Sequence, residues 1–140
     1  MFLPVYTLGS VSEFSKNTLS EHLGIEFLEI GENYLRARMP VDSRTCQPFR
    51  ILHGGASVAL AETLGSIASQ MTLDPQGEYV PVGLEINANH LKAATSGWVY
   101  GTVTPIHVGR STHVWDIRIT NESGAAVCAS RLTVMIIKKS

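Results

Sequence analysis

The chain has 140 residues, 44% of them hydrophobic and 16% charged, and a formal net charge of -1. That length fits one domain whose core needs neither disulfides nor a structural metal, and so neutral a chain lacks the broad basic field that holds nucleic acid or an anionic membrane. The low charge density leaves surface suited to burial between subunits, so a homo-oligomer is expected.

Met1-Phe2-Leu3-Pro4 has no basic region ahead of an apolar run, and no stretch reaches the ~18 apolar residues of a membrane span, so a cytoplasmic protein is expected. With no linker or repeat, residues 1–140 are read as a single domain. Ser10 or Ser12 caps the first of one or two short helices that end at Gly24, with Val11, Phe14, Leu19 and Leu23 at helical spacing. Two strands follow, 25–30 and 34–41, joined through the turn Gly31-Glu32-Asn33. The polar segment 42–52 is a loop, in which Cys46 has no His or Cys partner at zinc spacing; it and Cys128 are expected as reduced structural thiols, with no metal site.

From Ala56 to Met71 the sequence has no proline, and Ala56, Ala59, Leu60, Thr63, Leu64, Ile67, Ala68 and Met71 recur at helical spacing in a stripe wide enough to be buried. Asp74-Pro75-Gln76-Gly77 ends this long helix, and strand-like runs follow at 80–91, 98–108, 111–120 and 126–137. Two strands, one long helix and four strands describe an α+β fold in which an antiparallel sheet of about six strands curves around a single helix.

Glu62 is the chemical anomaly of that helix. A carboxylate among Ala59, Leu60, Ala61, Leu64 and Gly65 is paired, solvated at the helix edge or retained for chemistry. Ser66, four residues on, shares its face. His53-Gly54-Gly55 opens the same helix, where backbone N–H groups lack intrahelical acceptors and the dipole is positive; the glycine pair reads foremost as a tight loop-to-helix entry that needs small residues, and otherwise as a setting that stabilises an oxyanion. Gly55 and Glu62 lie roughly 10 Å apart along the helix axis, too far for one carbonyl carbon to meet both. Two antiparallel copies of the helix would remove that obstacle. Gln47 and His53 flank the helix entry as hydrogen-bonding groups, each equally at home in a purely structural role. His90 falls at period two with Leu84, Ile86 and Ala88 and reads foremost as a core histidine, whereas Lys92 and Arg110 follow strands and suit either solvent or phosphate.

The runs Asp42-Ser43-Arg44-Thr45-Cys46-Gln47-Pro48-Phe49, Leu52-His53-Gly54-Gly55-Ala56-Ser57, Ala61-Glu62 and Val82-Gly83-Leu84-Glu85-Ile86-Asn87-Ala88-Asn89-His90 closely resemble the bacterial hotdog-fold acyl-coenzyme A thioesterases, PaaI-like, over nearly the whole chain. The likeness is nearest to the branch of the 1,4-dihydroxy-2-naphthoyl-coenzyme A hydrolases, the enterobactin proofreading thioesterases and the Arthrobacter-type 4-hydroxybenzoyl-coenzyme A thioesterases. The resemblance implies a hydrolase of small, aromatic acyl thioesters of coenzyme A or a carrier protein, with menaquinone synthesis among the pathways. It makes Glu62 the nucleophile or general base and the Gly55 N–H of the facing subunit the carbonyl polariser, with Gln47, His53 and Ser66 assisting.

The same resemblance assigns coenzyme A binding to Gly83, to His90, Leu91, Lys92 and Ala93, and to His107, Val108, Gly109, Arg110, Ser111 and Thr112. No cofactor is implied, coenzyme A being part of the substrate, and the assembly implied is a homodimer or a homotetramer of two dimers. Arg50 departs from the pattern, where relatives often carry glycine, and Phe49, Ile51, Ile67 and Met71 are expected to shape the acyl pocket. A hydratase or dehydratase on the same fold, or a non-catalytic acyl-thioester binding module, are the competing readings; no Asp follows His53, as the former would need.

Overall fold

A computed structural model describes residues 1–140. Two short helices, α1 (Leu8–Glu13) and α2 (Leu19–His22), precede strands β1 (Glu26–Ile30) and β2 (Leu35–Pro40). The long helix α3 (Gly54–Gln70) follows, then β3 (Tyr79–His90), β4 (Trp98–Val108), β5 (Thr112–Thr120) and β6 (Ala126–Lys138). The six strands form one antiparallel sheet in the order β1-β2-β4-β5-β6-β3, which α3 packs against. No helix is long and apolar enough to cross a membrane. Both cysteines are free thiols.

The first helix begins earlier than Ser10 or Ser12 predicts. Thr7 is its N-cap, and Ser10 completes a capping box in which each side chain accepts from the other residue's backbone N–H; both hydroxyls thereby satisfy first-turn donors.

Alternation along the central strands fills the core. Leu35, Ala37 and Met39 of β2, Val99 and Val103 of β4, Trp115, Ile117 and Ile119 of β5, and Leu132 of β6 are fully buried against Leu60, Leu64 and Ala68 of α3. A buried leucine of this kind contributes on the order of 2 kcal/mol through the apolar surface it removes from water.

The buried face of α3 is turned relative to the predicted stripe. Ala59, Thr63 and Ile67 are only half-buried, while the small residues Ser57, Ala61, Gly65 and Ser69 are buried. The reason is steric: a Cβ on Gly65 would collide with the Leu132 side chain, so the helix lies onto the sheet through its smallest residues, which carry little hydrophobic signal.

Strand β3 contrasts with its neighbours. It pairs only with β6, and none of its twelve residues is fully buried. Its other edge is open, and Tyr79, Val82 and Leu84 are exposed along it. A long, partly apolar, unpaired edge is the sort of surface that another strand covers.

The loop before α3 is tightly built. An isolated bridge joins Cys46 to Leu52, Gln47 N–H donates to Ile51 O at 2.9 Å, and Arg50 N–H donates to Gln47 O at 2.9 Å. Arg50 stands at φ +66°, a left-handed conformation that costs a side-chain-bearing residue about 1–2 kcal/mol. This is the physical counterpart of its departure from glycine. Arg50→Gly is expected to raise stability by about 0.5–1 kcal/mol, the strain released less the extra entropy of an unfolded glycine; a thermal melt with an unchanged or lower Tm would count against that.

Candidate active site

The entry of α3 distinguishes its two glycines. His53 is the N-cap, and its Nδ1 accepts the Gly55 N–H at 2.8 Å. The donor expected to polarise a carbonyl is therefore already engaged within its own chain. Gly54, one residue earlier in the first turn, keeps an N–H with no protein acceptor, as the first helical position does by geometry. The helix begins at Gly54 rather than at Ala56, so within one chain the first-turn N–H without an acceptor is that of Gly54.

Gly54 opens onto a cavity of about 350 Å³ lined also by Gln47, Ile51, His90, Lys92 and Ala93, within the ~300–1,000 Å³ range typical of ligand pockets. Leu91 lines it as well, so the stretch His90–Ala93 expected to bind coenzyme A meets Gln47, one of the three groups expected at the carbonyl. The Gln47 side chain is held there: its Oε1 accepts the Phe49 N–H, which leaves the carboxamide NH₂ as the end free to donate. His53 and Gly55 instead face a separate small cavity with Leu19, Cys46 and Ala59.

His90 is exposed and is not a core histidine. Ile86 and Ala88 do pack on the core, but the register shifts between Gly83 and Glu85, Leu84 is left exposed, and His90 overruns the end of the core. Its ring stands over the helix entry, where a Cβ on Gly54 would lie 2.8 Å from His90 Nε2.

Glu62 is half-buried, on the side of α3 that faces the edge strand. Its carboxylate passes over Gly83, where a Cβ would collide with Glu62 Oε2. Gly83 therefore makes room for the carboxylate, a contact that the phosphate-oriented expectation for this residue did not contain. Ser66 is half-buried one turn further on, and none of the ion pairs involves Glu62. Of the expected acyl-pocket residues, Ile51 lines the cavity and Phe49 is 86% exposed, whereas Met71 is wholly buried in the core and cannot line a site at the surface.

The second coenzyme A stretch lies elsewhere. Val108, Gly109, Arg110 and Ser111 line a cavity of about 900 Å³ beside the end of α3, together with Leu73, Tyr79 and His113. His107 and Thr112 bracket this turn; Gly109 N–H donates to Thr112 O at 2.9 Å, and a Cβ on Gly109 would lie 2.6 Å from His107 Nε2. Tyr79 borders this cavity and His90 the other, so the full length of β3, about 36 Å for twelve residues, separates the two stretches within one chain.

Between this cavity and the core sits a polar cluster that the sequence reading overlooked. Trp115 Nε1–H donates to Ser69 Oγ at 2.7 Å, and the same oxygen lies 2.9 Å from His113 Nδ1. An indole N–H only donates, so the serine hydroxyl is free to donate to Nδ1, an arrangement that gives its hydrogen an acceptor and that assigns the neutral imidazole its proton on Nε2. The available signal was period two: His113 precedes Trp115, Ile117 and Ile119 on the inward face of β5.

Burial holds the His113 imidazole below its ordinary value of 6.5, assisted by His107 and opposed by the Gly109 backbone. The unfolded chain thus takes up this proton before the folded one does. The stability carried by the neutral ring is complete above the ordinary value and is lost as pH falls through the lower folded value. Thermal melts are expected to show Tm falling between about pH 7.5 and 5.5 more steeply than in His113→Asn, which cannot titrate; parallel falls would contradict this.

Residues 49–128 match the family profile described as Thioesterase superfamily, on a chain with a single helix laid against a six-stranded antiparallel sheet. The chain belongs to the thioesterase superfamily. This thioesterase has the hotdog fold and is a thioester hydrolase. It is 49% identical over 131 residues to the proofreading thioesterase EntH of Cronobacter turicensis, a match that spans 94% of each chain. It is 47% identical over 131 residues to the 1,4-dihydroxy-2-naphthoyl-CoA hydrolase of Escherichia coli K12, covering 94% of this chain and 95% of that one. The crystal structure of a Haemophilus influenzae thioesterase superposes with a TM-score of 0.93 at 46% identity, over 98% of this chain and 94% of that one.

Proposed function

We propose that this thioesterase hydrolyses small, aromatic acyl-coenzyme A thioesters in a site shared by two subunits, with Glu62 from one and the helix entry, Gly54 with Gln47, from the other. The observation that carries the reading is the division of the expected machinery. The free Gly54 N–H, the Gln47 carboxamide and the run His90–Ala93 open on one cavity, the turn Gly109–Ser111 borders another, and the Glu62 carboxylate stands at the open edge strand between. Gly54 and Glu62 are about 12 Å apart along their helix, so one carbonyl cannot touch both in a single chain.

A two-fold axis across the open edge of β3 resolves the geometry. Antiparallel pairing of two β3 strands covers both edges at once and brings the turn end of one subunit toward the helix-entry end of its twin. The pantetheine and nucleotide of a single coenzyme A then reach both stretches.

The chemistry follows from these groups. The Gly54 N–H at the positive end of the helix and the Gln47 NH₂ hydrogen-bond the thioester oxygen and stabilise the negative charge that develops there. Glu62 takes a proton from a water as its oxygen bonds to the carbonyl carbon, or attacks that carbon itself to give an anhydride that water then opens. The C–S bond breaks, the coenzyme A thiolate leaves with the bonding pair, and it recovers the proton held by Glu62 or the water. The thiolate leaves readily, so this reading calls for no cofactor.

The similarity to the 1,4-dihydroxy-2-naphthoyl-CoA hydrolase favours aryl acyl groups. Thiol release from benzoyl-, 1,4-dihydroxy-2-naphthoyl- and fatty-acyl-coenzyme A, and from the corresponding acyl carrier proteins, tests it. The aryl coenzyme A esters are expected to show the highest kcat/KM; turnover of carrier-bound or fatty-acyl substrates alone would overturn the substrate assignment.

A further inference from the structure

The Ser69–His113–Trp115 cluster lies outside the groups that perform the chemistry, yet it ties two functional parts together. Its serine is on α3, the helix that carries Glu62, and His113 is paired with Val108 at the base of the Gly109–Ser111 turn. The turn is otherwise held by the Gly109 N–H bond to Thr112 O and by the Ile136 N–H bond to Ser111 O at 2.9 Å, both of them contacts within the sheet. The His113 ring is the turn's polar link to the helix. It is 2% exposed, stands edge-on to Trp115 at 6.1 Å between centroids, and lines the larger cavity.

We propose that His113, through Ser69, is a positioning residue that holds the Gly109–Ser111 turn in the posture that binds the phosphates of the substrate, so that protonating it weakens substrate binding and spares the chemical step. This rests on the reading that the turn carries coenzyme A. Neutral His113 accepts the Ser69 hydroxyl hydrogen; a protonated ring has only donors, so Ser69 must turn to accept from both rings and its hydroxyl hydrogen is left without an acceptor in a buried site. The groups that face it make the charge unwelcome. His107 and Arg110 approach from the end of β4 and its turn, Tyr79 from β3 and Met1 from the N-terminal segment, while Ser69 of α3, Thr72 just after it and Ile136 of β6 complete the surroundings. No carboxylate lines this cavity. A charged imidazole is driven out of such a setting and takes the base of the turn with it.

The test is KM and kcat for benzoyl-coenzyme A from about pH 7.5 down to about 4.5, a range that starts above an ordinary imidazole and runs well below it, toward the lowered value of buried His113. Wild-type KM is expected to rise about tenfold toward acid, the scale of one lost buried hydrogen bond, with kcat following the same curve in wild type and variants. His113→Asn keeps an amide in place of Nδ1 and is expected to match wild-type KM near pH 7.5 and to stay flat. His113→Phe and Ser69→Ala, which remove the link from either side, are expected to show the raised KM already near pH 7.5 with kcat kept. An acid-side KM rise that persists in His113→Asn, or a loss confined to kcat in the other two, overturns the inference. Arg110→Ala separates the two levels: unchanged KM there defeats the reading that the turn binds phosphate, whereas a raised KM beside wild-type behaviour of the His113 variants defeats this inference alone.

Discussion

Glu62→Gln is expected to leave the fold and substrate affinity intact and to lower kcat by on the order of 10³-fold, within the range attributed to a positioned general base. The carboxylate packs over Gly83 with no ion pair to lose, and glutamine has the same shape, so the change removes a proton acceptor and little else. A melting temperature near that of wild type with unchanged ligand binding and lost turnover is the expected combination. Retention of more than a tenth of wild-type kcat would remove Glu62 from the chemistry.

Gly54→Pro is the second change with a large expected effect, and it tests the assignment of the donor. Proline at the first helical position removes an N–H that has no acceptor within the chain, and its fixed φ suits a helix start. His53 just before it sits at φ -68°, ψ 131°, the extended geometry that a following proline requires. The helix should therefore survive while the oxyanion loses a donor; proline's Cβ meets the His90 ring as alanine's does, so the donor's loss is read against Gly54→Ala, with kcat/KM lower than in that variant by on the order of 10²-fold. Gly54→Ala keeps the N–H but sets a Cβ 2.8 Å from His90 Nε2; that exposed ring must move, so KM should change more than kcat. Equal kcat in Gly54→Pro and wild type would return the role to another group.

The regular parts of the fold were legible in the sequence because they obey one period at a time. The segment 98–108 was read with the bounds it has, and α3 and β6 were displaced by two residues or fewer. The failures share a cause in tertiary context. Small residues on α3 hide a buried face that only the approach of Leu132 reveals. The shift between Gly83 and Glu85 strips Leu84 of the burial that period-two counting gives it, and the core ends before His90.

At the site, Gln47, Glu62, the His90–Ala93 run and the Gly54-Gly55 pair could each be singled out from sequence, with Gly55 expected as the donor, and the 1.5 Å rise per residue already argued that one helix cannot supply both acid and donor. Which first-turn N–H is free could not be read, because it depends on His53 turning its Nδ1 toward Gly55. The Ser69–His113–Trp115 cluster was equally silent, since its members lie 44 and 46 residues apart.

Mixing two inactive variants reaches the shared site most directly. If Glu62 of one subunit works with Gly54 of its twin, co-expressed Glu62→Gln and Gly54→Pro chains form mixed dimers in which one site carries both defects and the other carries neither. Random pairing makes half the dimers mixed, so the preparation should recover roughly a quarter of wild-type turnover. Activity no higher than that of the two parents would place acid and donor in the same chain and contradict the two-subunit site.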